Sequence, residues 1–192
     1  MQERDHEKLK NNLIQRLDRH LDWIKSCDTK SSIVLAMIGI FLTLFLSDQS
    51  LGLLKKILLE STRNVNFSNV LYLIILMASW CLFVYGAYCL VKVLVPKNKK
   101  VLDGEGLHRD SLYYFETTSS NSFTEFKRRV LSENKDDELK DILSQVYVNA
   151  QICTIKYTYF KKGIRFSFLG AASTLVIYLI GALLAYLGGF GR

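Results

Sequence analysis

Polar and apolar positions are sorted into long blocks along this chain, and three of the blocks read as membrane spans. Residues 70–95 carry Lys92 as their only charge, and residues 166–190 carry none. At 1.5 Å per residue a helix over either block exceeds a hydrocarbon core of roughly 30 Å. Residues 33–46 form a shorter block that, extended through 31–47, reaches the low end for a span. A span is the expectation there, with a buried or re-entrant helix as the alternative. Gly170, Ala171, Ala172 and Ser173 in the last block would let a neighbouring helix approach closely. Between the first two blocks, the stretch from Leu51 to Leu59 is apolar apart from Lys55 and Lys56, the pattern of a short interfacial helix. Asn64, Asn66, Ser68 and Asn69 then mark a turn.

The water-facing stretches carry a helical period. Leu13, Leu17, Leu21 and Ile24 form a stripe that continues through Asp28 and Ser31 into the first apolar block. Asp28 is therefore expected to face protein rather than solvent. Further on, Asp136 and Asp137 suit a helix N-terminus. They precede a near-heptad seam of Ile142, Val146, Ala150, Cys153, Tyr157, Phe160 and Ile164, widened by Leu139 and Leu143. Only Gly163 interrupts the passage into the third block. Both stripes predict helices that leave the membrane without a break and pair into a stalk, within one chain or between copies.

Residues 97–135 are less regular. Gly104 and Gly106 indicate a loop, and residues 111–115 a short strand or helical turn. Ser122 or Thr124 is placed to cap a helix beginning at Phe123, with Glu125 completing a capping box. The expected architecture is an all-α membrane protein: three transmembrane helices with long cytoplasmic helical extensions forming a stalk. Residues 1–30 form an amphipathic cytoplasmic helix, and 31–95 hold two spans with an external or interfacial loop at 48–69. Residues 96–165 form the cytoplasmic helical region, and 166–190 the third span.

Charge placement orients that architecture. The net charge is +7 over 192 residues, but the basic residues gather beside the apolar blocks. Lys92, Lys97, Lys99 and Lys100 follow the second block, and Lys156, Lys161, Lys162 and Arg165 precede the third. Both clusters bound one segment, which the positive-inside rule places in the cytoplasm together with the N-terminus. Lys25 and Lys30 agree, the loop 48–69 competes weakly with three basic residues, and residues 188–192 fall outside. The first apolar block begins too far into the chain for a cleavable signal sequence. Cys27, Cys81, Cys89 and Cys153 have neither disulfide-framework nor zinc spacing, which fits reduced surroundings.

Catalysis has little support: His6, His20 and His108 are scattered, and no nucleophile elbow, HExxH or CxxC occurs. No metal or cofactor is expected. Nucleic acid is not an expected partner either, because the positive charge hugs the membrane and ten acids dilute it across 92–165. Two constellations remain. Asp28, Lys30 and Lys156 stand at a membrane boundary, where a polar latch between neighbouring helices would bias a closed against an open arrangement. The plainer alternative has Lys30 snorkelling to lipid phosphates and Asp28 serving packing. Tyr113, Tyr114, Arg128 and Arg129 are candidates to face an anionic ligand, the rings stacking on a base. Topology alone also accounts for much of the basic charge. No β-rich cyclic-nucleotide barrel fits into 97–165 and no Gly-rich phosphate loop is present, so a sensed nucleotide would meet a small helical site or an interface between copies.

The chain resembles the transmembrane effector family of Pycsar antiphage defence at two places. One is Trp23 with Asp28-Thr29-Lys30-Ser31-Ser32 entering an apolar helix, similar to the family's Asp-x-Lys-Ala/Ser entry, with Ser31 where Ala is common. The other runs from Ser111-Leu112-Tyr113-Tyr114-Phe115 through Phe123, Phe126, Gln145-Val146-Tyr147, Ile152, Lys156 and Tyr157. The resemblance covers about residues 15–180. It implies a bacterial inner-membrane protein whose gene accompanies a nucleotide cyclase. On phage infection a cyclic pyrimidine nucleotide, cCMP or cUMP, signals the effector to impair the membrane and stop growth of the infected cell, an abortive infection. Small residues in the spans and the stalk seam add the expectation of a homo-oligomer. The rival expectation is a constitutive membrane-anchored scaffold that recruits a cytosolic partner through its stalk.

Overall fold

A computed structural model describes residues 2–63, 66–95, 107 and 110–191. Among the described residues six α-helices follow in order: α1 Gln2–Phe45, α2 Asp48–Arg63, α3 Phe67–Leu94, α4 Phe115–Ser120, α5 Phe123–Ser132 and α6 Lys135–Leu187. A 3-10 turn, Gly189–Gly191, closes the described chain. No strand occurs among the described residues, so residues 111–113 form an irregular lead into α4. Helices α1, α3 and α6 are each long and apolar enough to cross a membrane. Helix α1 runs for 44 residues and α6 for 53, without a break at Asp28 or Gly163. Lys97, Lys99, Lys100, Asn64, Gly104, Gly106, His108 and Arg192 lie outside the described residues.

Two compact units share these helices. The first combines the chain through Asp28 with Val95–Tyr157, and the second combines Thr29–Leu94 with the chain from Thr158 onward. In the first, α1 pairs with α6 of the same chain around Leu13, Leu139 and Ile142, with Ile14 and Val146 against them. The inward positions differ from the expected stripes. Leu21 is exposed and His20 is half-buried in its stead, and Cys27 is buried one position before Asp28, along a seam stepping by four and three. On α6, Tyr157 is half exposed whereas Lys156 is only 5% exposed. Steps of three and four hold an α-helical seam in place, whereas two successive steps of four walk it off the face.

The hydroxyl-rich segment fastens the small helices. Asp141 is fully buried on α6 and its Oδ2 accepts from the Leu112 amide at 2.8 Å. The Thr117 hydroxyl donates to the Ser111 carbonyl, and that of Thr118 to the Leu112 carbonyl at 3.1 Å. These bonds hold residues 111–114 as a tight lead into α4. Ser122 caps α5 as expected, accepting from the Glu125 amide at 3.3 Å, while the Glu125 carboxylate accepts from Arg128 rather than completing a capping box. Asn134 caps α6, its Oδ1 accepting from the Asp137 amide at 2.8 Å.

In the second unit α3 and α6 meet at glycines. A Cβ at Gly163 would sit 2.6 Å from Leu90 Cγ, and one at Gly170 would sit 2.5 Å from Phe83 Cα. Aromatic rings from α1 join this contact: Phe41 lies 5.2 Å from Phe83, and Phe45 lies 5.3 Å from Trp80. Helix α2 is longer than the expected interfacial segment, and it buries Ile57 completely against Ala185 and Phe190. The expected turn before the second span is shorter, because Ser68 and Asn69 are already helical. Gly188 ends α6 with φ of 67°, a left-handed conformation that glycine adopts at little cost. The turn sends Phe190 back to Tyr72, ring centroids 5.4 Å apart, and the Asn69 amide donates to the Phe190 carbonyl at 3.2 Å.

Candidate functional site

Two polar loci interrupt the pairing of α1 with α6 in the first unit. The first is an ion pair: Lys156 Nζ lies 2.5 Å from Asp28 Oδ1. The ammonium side is buried, while the Asp28 side chain keeps 37% of its exposure. A carboxylate this close offsets the desolvation of the lysine through a charge-assisted hydrogen bond. Cys27 is buried beside Asp28, and Cys153 stands one turn before Lys156. Burial, and secondarily the nearness of Cys27, pushes the Cys153 thiol up, which makes it a poor nucleophile at neutral pH. Lys30 is exposed and has no share in this pair.

The second locus is a cleft of about 250 Å³ lined by His6, Glu7, Lys10, Lys135, Glu138 and Leu139. It joins the beginning of α1 to the first turn of α6. Lys10 Nζ lies 2.6 Å from Glu138 Oε1, and the Tyr113 hydroxyl donates to the same oxygen at 3.0 Å. His6 stands 3.7 Å from Asp136. The hydrogen bond from Lys10, aided by that from Tyr113, holds the Glu138 carboxyl below its usual range. Burial, then the bond to Glu138, pushes the Tyr113 phenol up to about 12.

These two shifts give the unit a stability window with opposite limbs. Glu138 has a depressed folded pKa, so its contribution is present above 4.5 and fades as pH falls through the folded value. Tyr113 has a raised folded pKa, so its contribution is complete below 10.0 and fades between there and about 12. Thermal melts across pH are expected to show both limbs. Tyr113→Phe should flatten the alkaline limb and leave melting near pH 7 within about 1 kcal/mol of the parent, the typical worth of one hydrogen bond. An unchanged alkaline limb would refute the assignment.

The four residues expected to face a ligand are dispersed. Arg128 is held on its own helix by Glu125, at 2.9 and 2.6 Å, which raises the guanidinium further and lowers the carboxyl. Arg129 donates to the Asp110 carbonyl at 2.5 Å. Tyr114 lies with its ring 5.0 Å from that of Phe115, and burial raises its phenol. None of the four lines the cleft, although Tyr113 touches it through Glu138. The cleft escaped the sequence because it joins residues 6–10 to 135–139, a separation that leaves no local spacing to read. Among the described residues no group of three His, Cys, Asp or Glu side chains is placed to hold a metal.

Chemically, the cleft offers the ammonium groups of Lys10 and Lys135 and the imidazole of His6 beside the acids Glu7 and Glu138, enough to exchange an internal carboxylate for an external anion. Residues 12–185 match the model of the Pycsar effector protein domain. The chain is also similar to the Pycsar effector protein GmPycTM of Gulbenkiania mobilis, with 33% identity over 188 residues, 93% of this chain and 94% of the relative. No solved structure matches.

Proposed function

We propose that this chain, which belongs to the family of Pycsar effector proteins, impairs the bacterial inner membrane when a cyclic pyrimidine nucleotide reaches its first unit. The observation that carries this reading is the ion pair of Lys156 with Asp28. It ties α1 to α6 where both helices leave the first unit, and each helix continues unbroken into an apolar span. A device that holds these helices together biases whatever arrangement the spans adopt. The positive charge flanking the spans supports a cytoplasmic N-terminus and a cytoplasmic first unit, within reach of a soluble signal.

The nucleotide is received in the cleft. Its phosphodiester competes with Glu138 for Lys10 and gains Lys135 and His6, while Tyr113, released from Glu138, becomes free to meet the base. Exchange of these partners shifts α1 against α6 along the seam that ends, within the same unit, at Asp28 and Lys156. The active form is an assembly of several copies in the lipid bilayer, and no step of this scheme requires catalysis.

Calorimetry on the detergent-solubilised protein tests the reading. One of cCMP and cUMP is expected to bind, and Lys10→Ala should weaken it at least ten-fold. Arg128→Ala, already committed to Glu125, should leave affinity within two-fold. Absence of binding by either nucleotide, together with undisturbed membrane potential in cells overproducing the protein, would leave a constitutive scaffold in place of an effector.

A further inference from the structure

The α3–α6 contact in the second unit is closely packed and yet polar. Ser167 on α6 is 3% exposed and faces Gly86 of α3, where an added Cβ would stand 2.5 Å from its Oγ. Its hydroxyl has no hydrogen-bond partner. Thr174, two turns further along the same face of α6, is 1% exposed and likewise has no partner for its Oγ1. Helix α1 adds Ser31, fully buried in the same unit and also unpartnered. Beyond Thr174 the polar groups continue. The Tyr72 hydroxyl donates to the Ile177 carbonyl at 3.0 Å, and the buried Asn69 amide reaches the Phe190 carbonyl. From Ser167 to the end of α6 the helix rises about 30 Å, the thickness of a hydrocarbon core.

Lipid does not require this pattern. Helices associate in a bilayer through close packing of small residues alone, and alanine would serve that packing at Ser167 without burying an unpartnered hydroxyl. Buried hydroxyls without partners are unfavourable in a dry contact, and their balance reverses once water enters. Such a seam has two states, one dry and closely packed, the other hydrated along its length. Its groups are neutral and present oxygen, which can replace part of the hydration shell of a small monovalent cation. It carries no fixed charge that would draw in anions.

We infer that the seam between α3 and α6, lined by Ser167 and Thr174 with Tyr72 and Asn69 beyond them, is the path through which water and small monovalent cations cross the membrane when the helices part. This rests on the effector reading above and adds to it the route and class of permeant. Membrane impairment is then a selective leak rather than bulk rupture.

The test uses the full-length protein in lipid vesicles loaded with potassium and calcein, exposed to cCMP or cUMP. The expected result is collapse of the potassium gradient with calcein retained. Thr174→Val, which keeps shape and removes the hydroxyl, and Ser167→Ala should each slow potassium efflux at least ten-fold with nucleotide affinity unchanged. As an independent reading, a Thr174→Cys variant should react with a membrane-impermeant methanethiosulfonate more than ten-fold faster with nucleotide present. Val176→Cys, on the outward face, should show no such change. Equal loss of calcein and potassium, or parental efflux from both hydroxyl variants, overturns the path and leaves the effector reading standing. Absence of any leak from the parent with either nucleotide overturns both.

Discussion

Asp28→Ala is expected to lower the stability of the first unit by about 2–3 kcal/mol, whereas Lys156→Met is expected to cost about 1 kcal/mol or less. Truncating one member of a buried ion pair costs about 3–5 kcal/mol, because the survivor stays charged in a poor solvent. The pair is buried on one side only: the Lys156 side chain keeps 7% of its exposure and Asp28 keeps 37%. Removing Asp28 therefore strands an ammonium deep in the seam, and partial hydration reduces the full penalty to the lower figure. Removing the lysine charge leaves a carboxylate that water already reaches, and methionine fills much of the vacated volume. Combining the two changes should restore most of what Asp28→Ala lost, since no buried charge then remains. Melting followed by circular dichroism should show Asp28→Ala lowered by about 5–10 °C and the double variant recovering more than half of that. Equal effects of the two single changes would mean that the pair is solvated in practice. If the pair also holds the closed arrangement, 2–3 kcal/mol shifts a two-state balance by about 30–150-fold. Asp28→Ala should then depolarise cells without any nucleotide.

Much of this pair was legible before the fold was known, and the reason it was legible also explains what was not. A carboxylate continuing an apolar stripe into lipid has few tolerable environments, so a basic partner on the other long helix was the economical expectation, and Lys156 stands there. Helix existence and length followed from uninterrupted apolar and heptad-like blocks with a single proline in 192 residues. Which residue of each turn points inward was less accessible. Hydropathy puts Leu21 and Tyr157 in the seam, yet both are exposed, and Cys27 and Lys156 take the inward positions. A pattern scored on apolarity cannot select a lysine whose burial depends on a partner about 130 residues away. Ser122 and Glu125 could be read as a cap because both partners lie within one turn. The cleft at His6, Lys10 and Glu138 could not, because nothing local to either segment marks it.

Gly170→Leu is expected to be the most damaging single change in the second unit, and Gly39→Leu among the least, although both replace a glycine in a membrane helix. The sequence distinguishes them only in that Gly170 opens a run of small residues. The structure separates them. A Cβ at Gly170 would fall 2.5 Å from the Cα of Phe83, a backbone atom that cannot move without the whole of α3. One at Gly39 meets nothing within 4 Å. Overpacking that rotamers can absorb costs about 1–3 kcal/mol. Here rotamers cannot absorb it, so the helices must separate. Separation also breaks the contact at Gly163, where Leu90 Cγ would lie 2.6 Å from an added Cβ. The ring cluster of Phe41, Phe83 and Trp80 is anchored on the same stretch of α3. A loss of more than about 3 kcal/mol follows, beyond the ordinary overpacking range. Gly39→Leu should remain within about 0.5 kcal/mol of the parent, since it gains helix propensity and meets only open space. Both variants should insert, because hydropathy rises in each. The difference should appear as resistance to protease and to thermal aggregation in detergent, lost at Gly170 and kept at Gly39. Insertion with undiminished protease resistance for Gly170→Leu would show that α3 and α6 do not meet at this position in the membrane.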